Sequence, residues 1–137
     1  MSERRSVNVR RGDAVQGATV TFGPVKAACH LELRLDDGRA LVAEGDDYFD
    51  CLTAVRRTLE SEGAILLCQG ARRDVWPSGM ARSMAAGLKA YVLVNRRPPT
   101  PDDLVDIFDP AEPGDVGTVT EQERVRDEWF ASIGINP

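Results

Sequence analysis

The chain has 137 residues, is 42% hydrophobic and 28% charged, and carries a formal net charge of −5 at pH 7. That fits one globular domain able to own a core and leaves no room for a second. No run approaches the roughly 18 apolar residues a membrane-spanning helix requires, and the opening "MSERRSVNVRRG" lacks the apolar centre of a secretory signal, so a cytoplasmic protein without membrane contact is expected.

In chain order, "SVNVRR", "GATVTFG" and "HLELRLDDGRALVAEG" alternate apolar with polar residues, placing Leu31, Leu33 and Leu35 on one face. These read as half-buried strands. Asp37-Gly38 tolerates positive φ and suits a tight hairpin turn, so the third and fourth strands are expected to pair antiparallel. The period then changes. In "DDYFDCLTAVRRTLESEG", Tyr48, Leu52, Val55 and Leu59 form a helical stripe over residues 46–62. Asp46 or Asp47 can cap its start, Arg56 and Arg57 suit its negative end, and Gly63 suits its stop.

"AILLC" and "KAYVLV" are apolar without alternation, which predicts interior strands covered on both faces. "LVDIFDP", hemmed in by prolines, reads as an edge strand, with a short helix from Thr100 as the competing reading. The last element is a helix over residues 120–132, with Thr120 and Glu123 in capping-box spacing and a stripe of Val125, Trp129 and Ile133 before Gly134. The sum is a single α+β domain, residues 1–137: a mostly antiparallel sheet of about five to seven strands with two principal helices.

Chemistry-bearing residues are sparse. Cys29, Cys51 and Cys68 are widely spaced, there is no C-x-x-C pair, and His30 is the sole histidine. A zinc site wants about four clustered soft ligands, so neither a metal nor a cofactor is expected. Cys29 and His30 are adjacent, and neighbours on an extended segment point to opposite faces.

Residues 69–87, "QGARRDVWPSGMARSMAAG", concentrate the interest. Arg72, Arg73 and Arg82 suit a planar oxyanion, Ser78 can cap a short helix whose free N–H groups would add to an anion site, and Trp76 could stack on a ring. The Walker loop and the nucleophile elbow are absent. Asp74 is the only acid in residues 64–97, so a nucleophile, a base and an orienting group do not assemble into a catalytic set. The structural alternative has Trp76 and Met80 plugging the core edge while the arginines pair with Asp74 and the acidic C-terminal segment.

Charge is uneven along the chain. Residues 1–63 hold nine Lys/Arg and eleven Asp/Glu, residues 64–97 six and one, and residues 98–137 two and ten, giving −2, +5 and −8. The last block would repel phosphates and steer a basic protein, which argues against a nucleic-acid partner; it could equally pair internally with the basic block. Asp102, Asp103 and Asp106 are its candidate rim residues.

"LLCQGARRDVWPSGMARSMAAGLKAYVL", "LVDIFDP" and "VTEQERVRDEWF", about residues 66–130, resemble a group of small, mostly uncharacterised bacterial proteins, some of them associated with polymorphic-toxin immunity loci. The resemblance implies a cytosolic bacterial protein with a toxin-binding role and brings no catalytic residues. The leading expectation is therefore a non-enzymatic immunity-type module with Arg72, Arg73 and Trp76 as anchors. The alternative is a small-anion or nucleotide-binding protein, with or without chemistry, using residues 69–87. A homodimer through the stripe of the last helix, where Trp129 and Phe130 cannot both face one core, is a third reading.

Overall fold

The computed structural model describes residues 2–134. Alternation in the first third of the chain produces β1 (Glu3–Arg11), β2 (Ala14–Val25), β3 (Ala28–Leu35) and β4 (Ala40–Gly45). They form an antiparallel meander whose buried face carries Val7, Val9, Val20, Phe22, Leu31, Leu33 and Leu35. The turns Gly12-Asp13 and Lys26-Ala27 are two residues long, with Gly12 and Lys26 at left-handed φ of 61° and 56°. The third connection is longer than a tight two-residue turn. Leu35 N–H donates to Arg39 O at 2.8 Å, and Gly38 takes φ 90° after Asp36 and Asp37. The Asp37 carboxylate accepts from Arg39 N–H at 2.9 Å, fixing this wider loop.

The stripe Tyr48, Leu52, Val55 and Leu59 forms helix α1 (Tyr48–Ser61), capped by Asp47, whose carboxylate accepts from Asp50 N–H at 2.8 Å. Leu52 and Val55 enter the sheet's inner face, where they line an apolar void of about 10 Å³ with Val20, Leu31 and Leu33. Phe49 and Arg56 turn the other way, toward Trp76 and the C-terminal helix. Helix α1 is thus buried on two sides.

"AILLC" supplies β5 (Ala64–Leu66), which pairs with β1 and ends the order β4-β3-β2-β1-β5. Ala64, Leu66, Leu67 and Cys68 are buried, yet this is an edge and not the interior of a sheet. Residues 107–111 close the edge through a Cys68–Pro110 bridge and bonds from Gln69 N–H to Asp109 O and Ala111 N–H to Leu67 O. Burial here comes from later chain laid alongside.

A second antiparallel sheet of β6 (Val75–Trp76), β7 (Lys89–Val92) and β8 (Leu104–Asp106) has the order β6-β7-β8. "KAYVLV" is central in this smaller sheet, and "LVDIFDP" does supply an edge strand. A 3-10 turn over Pro101–Asp103, capped by Thr100, immediately precedes β8. Between β6 and β7 lies helix α2 (Gly79–Met84). The last helix, α3 (Val119–Ser132), begins one residue earlier than expected and is capped by Thr118 with Glu121, not by Thr120 with Glu123. The architecture is α+β, five strands curled over α1 with a three-stranded sheet beside them.

Candidate functional site: residues 69–87 and their supports

The Arg-rich stretch leaves β5 through a 3-10 turn over Gln69–Ala71 and enters a buried polar knot. At its centre is Arg56 of α1, whose side chain is 1% exposed. Its Nη1 donates to Gly70 O at 3.2 Å and to Gln122 Oε1 at 2.7 Å, and its Nη2 donates to Gly117 O at 3.0 Å. Nε lies 3.5 Å from the Glu60 carboxylate. Gln122 answers from α3, with Nε2 at 2.9 Å from the carbonyls of Gly70, Arg72 and Val75. Burial pulls the Arg56 pKa below the ordinary guanidinium range, and Glu60 works against that shift.

Glu60 also accepts from Val119 N–H at 3.0 Å, so one carboxylate faces Arg56 and the first turn of α3 together. The knot needs bare backbone. A Cβ on Gly70 would sit 2.6 Å from Leu52 Cδ2, and one on Gly117 would sit 2.5 Å from Arg73 Cγ.

Each of the three loop arginines holds internal acceptors. Arg72 grips Asp74 through Nε and Nη2, both at 3.0 Å, and its Nη1 donates to Gln69 Oε1. Arg73 donates to the carbonyls of Val116 at 2.7 Å and Gly114 at 2.6 Å, clamping the loop that precedes α3. Arg82 bridges Asp47 at 2.8 Å and Asp50 at 3.0 Å through a single nitrogen, Nη1. Although burial works against its charge, those hydrogen bonds hold Arg82 above the ordinary guanidinium range. Of the pairings expected for these arginines, Arg72 with Asp74 is present, Arg73 reaches backbone of the C-terminal segment, and Arg82 goes to the start of α1.

Trp76 is half-buried, edge-on to Phe49 at 5.3 Å between centroids, with Arg126 over its ring at 4.6 Å and Arg82 at 5.6 Å. Phe49, Arg82 and Arg126 are thus its ring neighbours. Ser78 caps α2, accepting from Ala81 N–H at 3.0 Å. That helix presents Met80 and Met84, 68% and 79% exposed, one turn apart on the same face. They are the most exposed large hydrophobic side chains among the described residues. Met80 is therefore a surface residue and not a core plug.

The candidate acidic rim is largely engaged. Asp103 accepts from Thr100 N–H and from Arg97, both of which hold its carboxyl below the usual range, the backbone bond most. Asp106 takes Arg5 at 3.1 Å, Lys89 at 3.6 Å and Phe108 N–H at 2.9 Å. Asp102 is exposed on the 3-10 turn. These three lie around β8, on other elements than the methionines of α2.

No family model matches the chain, and no curated protein matches it.

Among the described residues the three thiols and the histidine have other partners or are buried. His30 pairs with Glu44 at 3.3 Å, while Cys29 Sγ sits 3.7 Å from Asp46 O. Burial pushes the Cys29 thiol up, the Cys51 thiol up to about 12 and the Cys68 thiol up to about 11, away from the thiolate that nucleophilic chemistry uses. Among the described residues no three His, Cys, Asp or Glu side chains are grouped to hold a metal ion. Open depressions of about 600 and 210 Å³ lie on the five-stranded sheet and its turns, and neither is lined by residues 69–87.

Sequence reasoning took Arg56 for a partner of the negative end of α1, where the structure buries it, and passed over Gln122. Their signal was positional. Arg56 falls four residues after Leu52 on the apolar side of α1, and Gln122 three after Val119 on the inward side of α3.

Proposed function

We propose that this protein is a non-enzymatic protein-binding module of the immunity type, which docks on a cognate toxin domain and blocks its cleft. The observation that carries the reading is the pair Met80 and Met84, standing 68% and 79% exposed on a helix pinned by the Ser78 cap and by Arg82 to α1. Flexible thioethers on a fixed pedestal suit a protein surface better than a small anion. The half-buried Trp76, with Arg126 stacked on it and Arg82 of α2 over its ring, supports that pedestal. In this proposal Trp76, Met80 and Met84 are the central contacts, and Asp102 belongs to a solvated outer rim.

The test is co-expression with a toxin-like domain encoded next to this protein, followed by pull-down and by rescue of cell growth. Met80→Asp with Met84→Asp is expected to weaken binding by at least about tenfold, corresponding to 1.4 kcal/mol, while the melting temperature stays unchanged. Failure of the unaltered protein to bind or neutralise that domain, or binding indifferent to the two substitutions, overturns the reading.

A further inference from the structure

Two of the three cysteines meet at the end of the five-stranded sheet, where β4 turns into α1. Cys29 of β3 packs inward, on the same face as Leu31 and Leu33, and its partner across β3 and β4 is Gly45. Directly opposed residues of an antiparallel pair hold their Cβ positions about 4.5–5.5 Å apart. A Cβ on Gly45 would stand 3.6 Å from the sulfur of Cys51, and that sulfur donates to Cys29 O at 3.4 Å. The Cys51 thiol therefore lies on the flank of Cys29, in room that the missing side chain of Gly45 leaves. Cys29 Sγ rests 3.7 Å from Asp46 O. The two positions differ in access: Cys29 is half-buried, whereas Cys51 is 0% exposed. Cys68, also 0% exposed, sits past β5 and bridges to Pro110.

We propose that Cys29 and Cys51 are a redox pair that a hydroperoxide converts into a disulfide, stapling β3 to the first turn of α1. A rotation of Cys29 about its Cα–Cβ bond, from one staggered well to another, brings its sulfur off Asp46 O and toward Cys51. Cys29, the thiol that solvent reaches, reacts first. Its sulfur attacks one peroxide oxygen, the O–O bond breaks, the S–O bond of a sulfenic acid forms and water leaves. Cys51 then attacks that sulfur: the S–S bond forms as the S–O bond breaks, and the Cys51 proton departs with the hydroxyl as a second water. Burial holds both thiols above their ordinary value, so little thiolate is present and the pair stays reduced until oxidant accumulates. The bond would span a separation of 22 residues, restricting the unfolded chain more than the folded one. It lands on the turn whose Asp47 and Asp50 hold Arg82 of α2.

The test treats the reduced full chain with hydrogen peroxide at mildly alkaline pH and then alkylates the remaining thiols with N-ethylmaleimide in denaturant. The expected result is a fall from three alkylated cysteines to one, with peptide mapping that links Cys29 to Cys51 and leaves the label on Cys68. Dithiothreitol restores all three. The oxidised chain is expected to melt roughly 5–10 °C above the reduced one. Cys29→Ser, treated identically, keeps both its thiols and shows no such rise. Sulfoxide at the exposed Met80 and Met84 reports that the oxidant acted. Three alkylated cysteines at a dose that has oxidised those methionines overturns the proposal. So does a Cys29 that stops at sulfenic or sulfinic acid, a link to Cys68, or a bond between two chains. Thiol counting and mapping use the unaltered chain, so they decide the outcome even where the Cys29 variant fails to fold. They need no partner protein, and the docking reading of α2 stands or falls separately.

Discussion

Arg56 carries a charge into the interior because several oxygens meet it there: Gly70 O, Gly117 O and Gln122 Oε1 accept its protons, and the Glu60 carboxylate balances it. A buried guanidinium without such partners would be strongly unfavourable, and removing it strands the acceptors instead. Arg56→Ala is therefore expected to destabilise the fold by about 3–5 kcal/mol, and Gln122→Ala by about 1–3 kcal/mol, both read by urea denaturation. Because the two share a network, the double variant should cost clearly less than their sum; strict additivity would show that they act apart. Gly70→Ala tests the same knot from the backbone. Its Cβ would meet Leu52 at 2.6 Å and Ile107 Cβ at 3.0 Å, so a loss of about 1–3 kcal/mol by overpacking is expected. Little of this was legible in the sequence. An arginine in the second half of an amphipathic helix looks like a dipole partner until α3, more than sixty residues later, delivers Gln122 to it.

At the level of elements, legibility follows from how much of the pattern is local. β1 to β4 alternate because one face meets α1 and the other water, and the sequence records that period directly. β5 and β7 do not alternate. Their burial depends on residues 107–111 and on a second sheet, neither of which a run of four or five apolar residues can announce. The start of α3 shows the same limit. "TVTEQE" contains two overlapping capping boxes, Thr118 with Glu121 and Thr120 with Glu123. The earlier one forms because Val119 is buried (2% exposed) and its N–H is accepted by Glu60, contacts a later start would forfeit. Thr118→Ala is expected to cost about 1 kcal/mol and Thr120→Ala no more than about 0.5 kcal/mol in thermal denaturation; equal effects would contradict the placement. The cap also sets a pH dependence. The Thr118 backbone N–H chiefly holds Glu121 below its usual 4.5, so the folded state binds that proton more weakly than the unfolded chain. Its contribution is complete above pH 4.5 and is lost as pH falls through the depressed folded value. Glu121→Gln should flatten that part of the acid limb of a melting-temperature profile.

Over the whole molecule, the charge blocks that looked separate along the chain are interleaved in space. Of the ten acids in residues 98–137, six form ion pairs among the described residues: Asp103 with Arg97, Asp106 and Asp109 with Arg5, Glu123 with Arg57, Asp127 with Arg126, and Glu128 with Arg124. Their partners come from every part of the chain. The docking face of free carboxylates expected from the −8 block is therefore much reduced, and exposed pairs of this kind contribute only about 0–1 kcal/mol each. The basic block is engaged as well, by Asp74, by the carbonyls of residues 114 and 116, and by Asp47 and Asp50. An anion entering residues 69–87 would have to displace those acceptors, giving up as many charge-assisted hydrogen bonds as it makes. Phosphate, sulfate and nucleotides at low ionic strength are accordingly expected to leave the melting temperature where it is. A ligand present at 100 times its dissociation constant would stabilise the fold by about 2.7 kcal/mol, well within reach of a thermal scan. A saturable rise that Arg82→Gln abolishes would show that Arg82, which commits only Nη1 to Asp47 and Asp50, recruits an anion after all, and would move the functional reading from a protein partner to a small ligand.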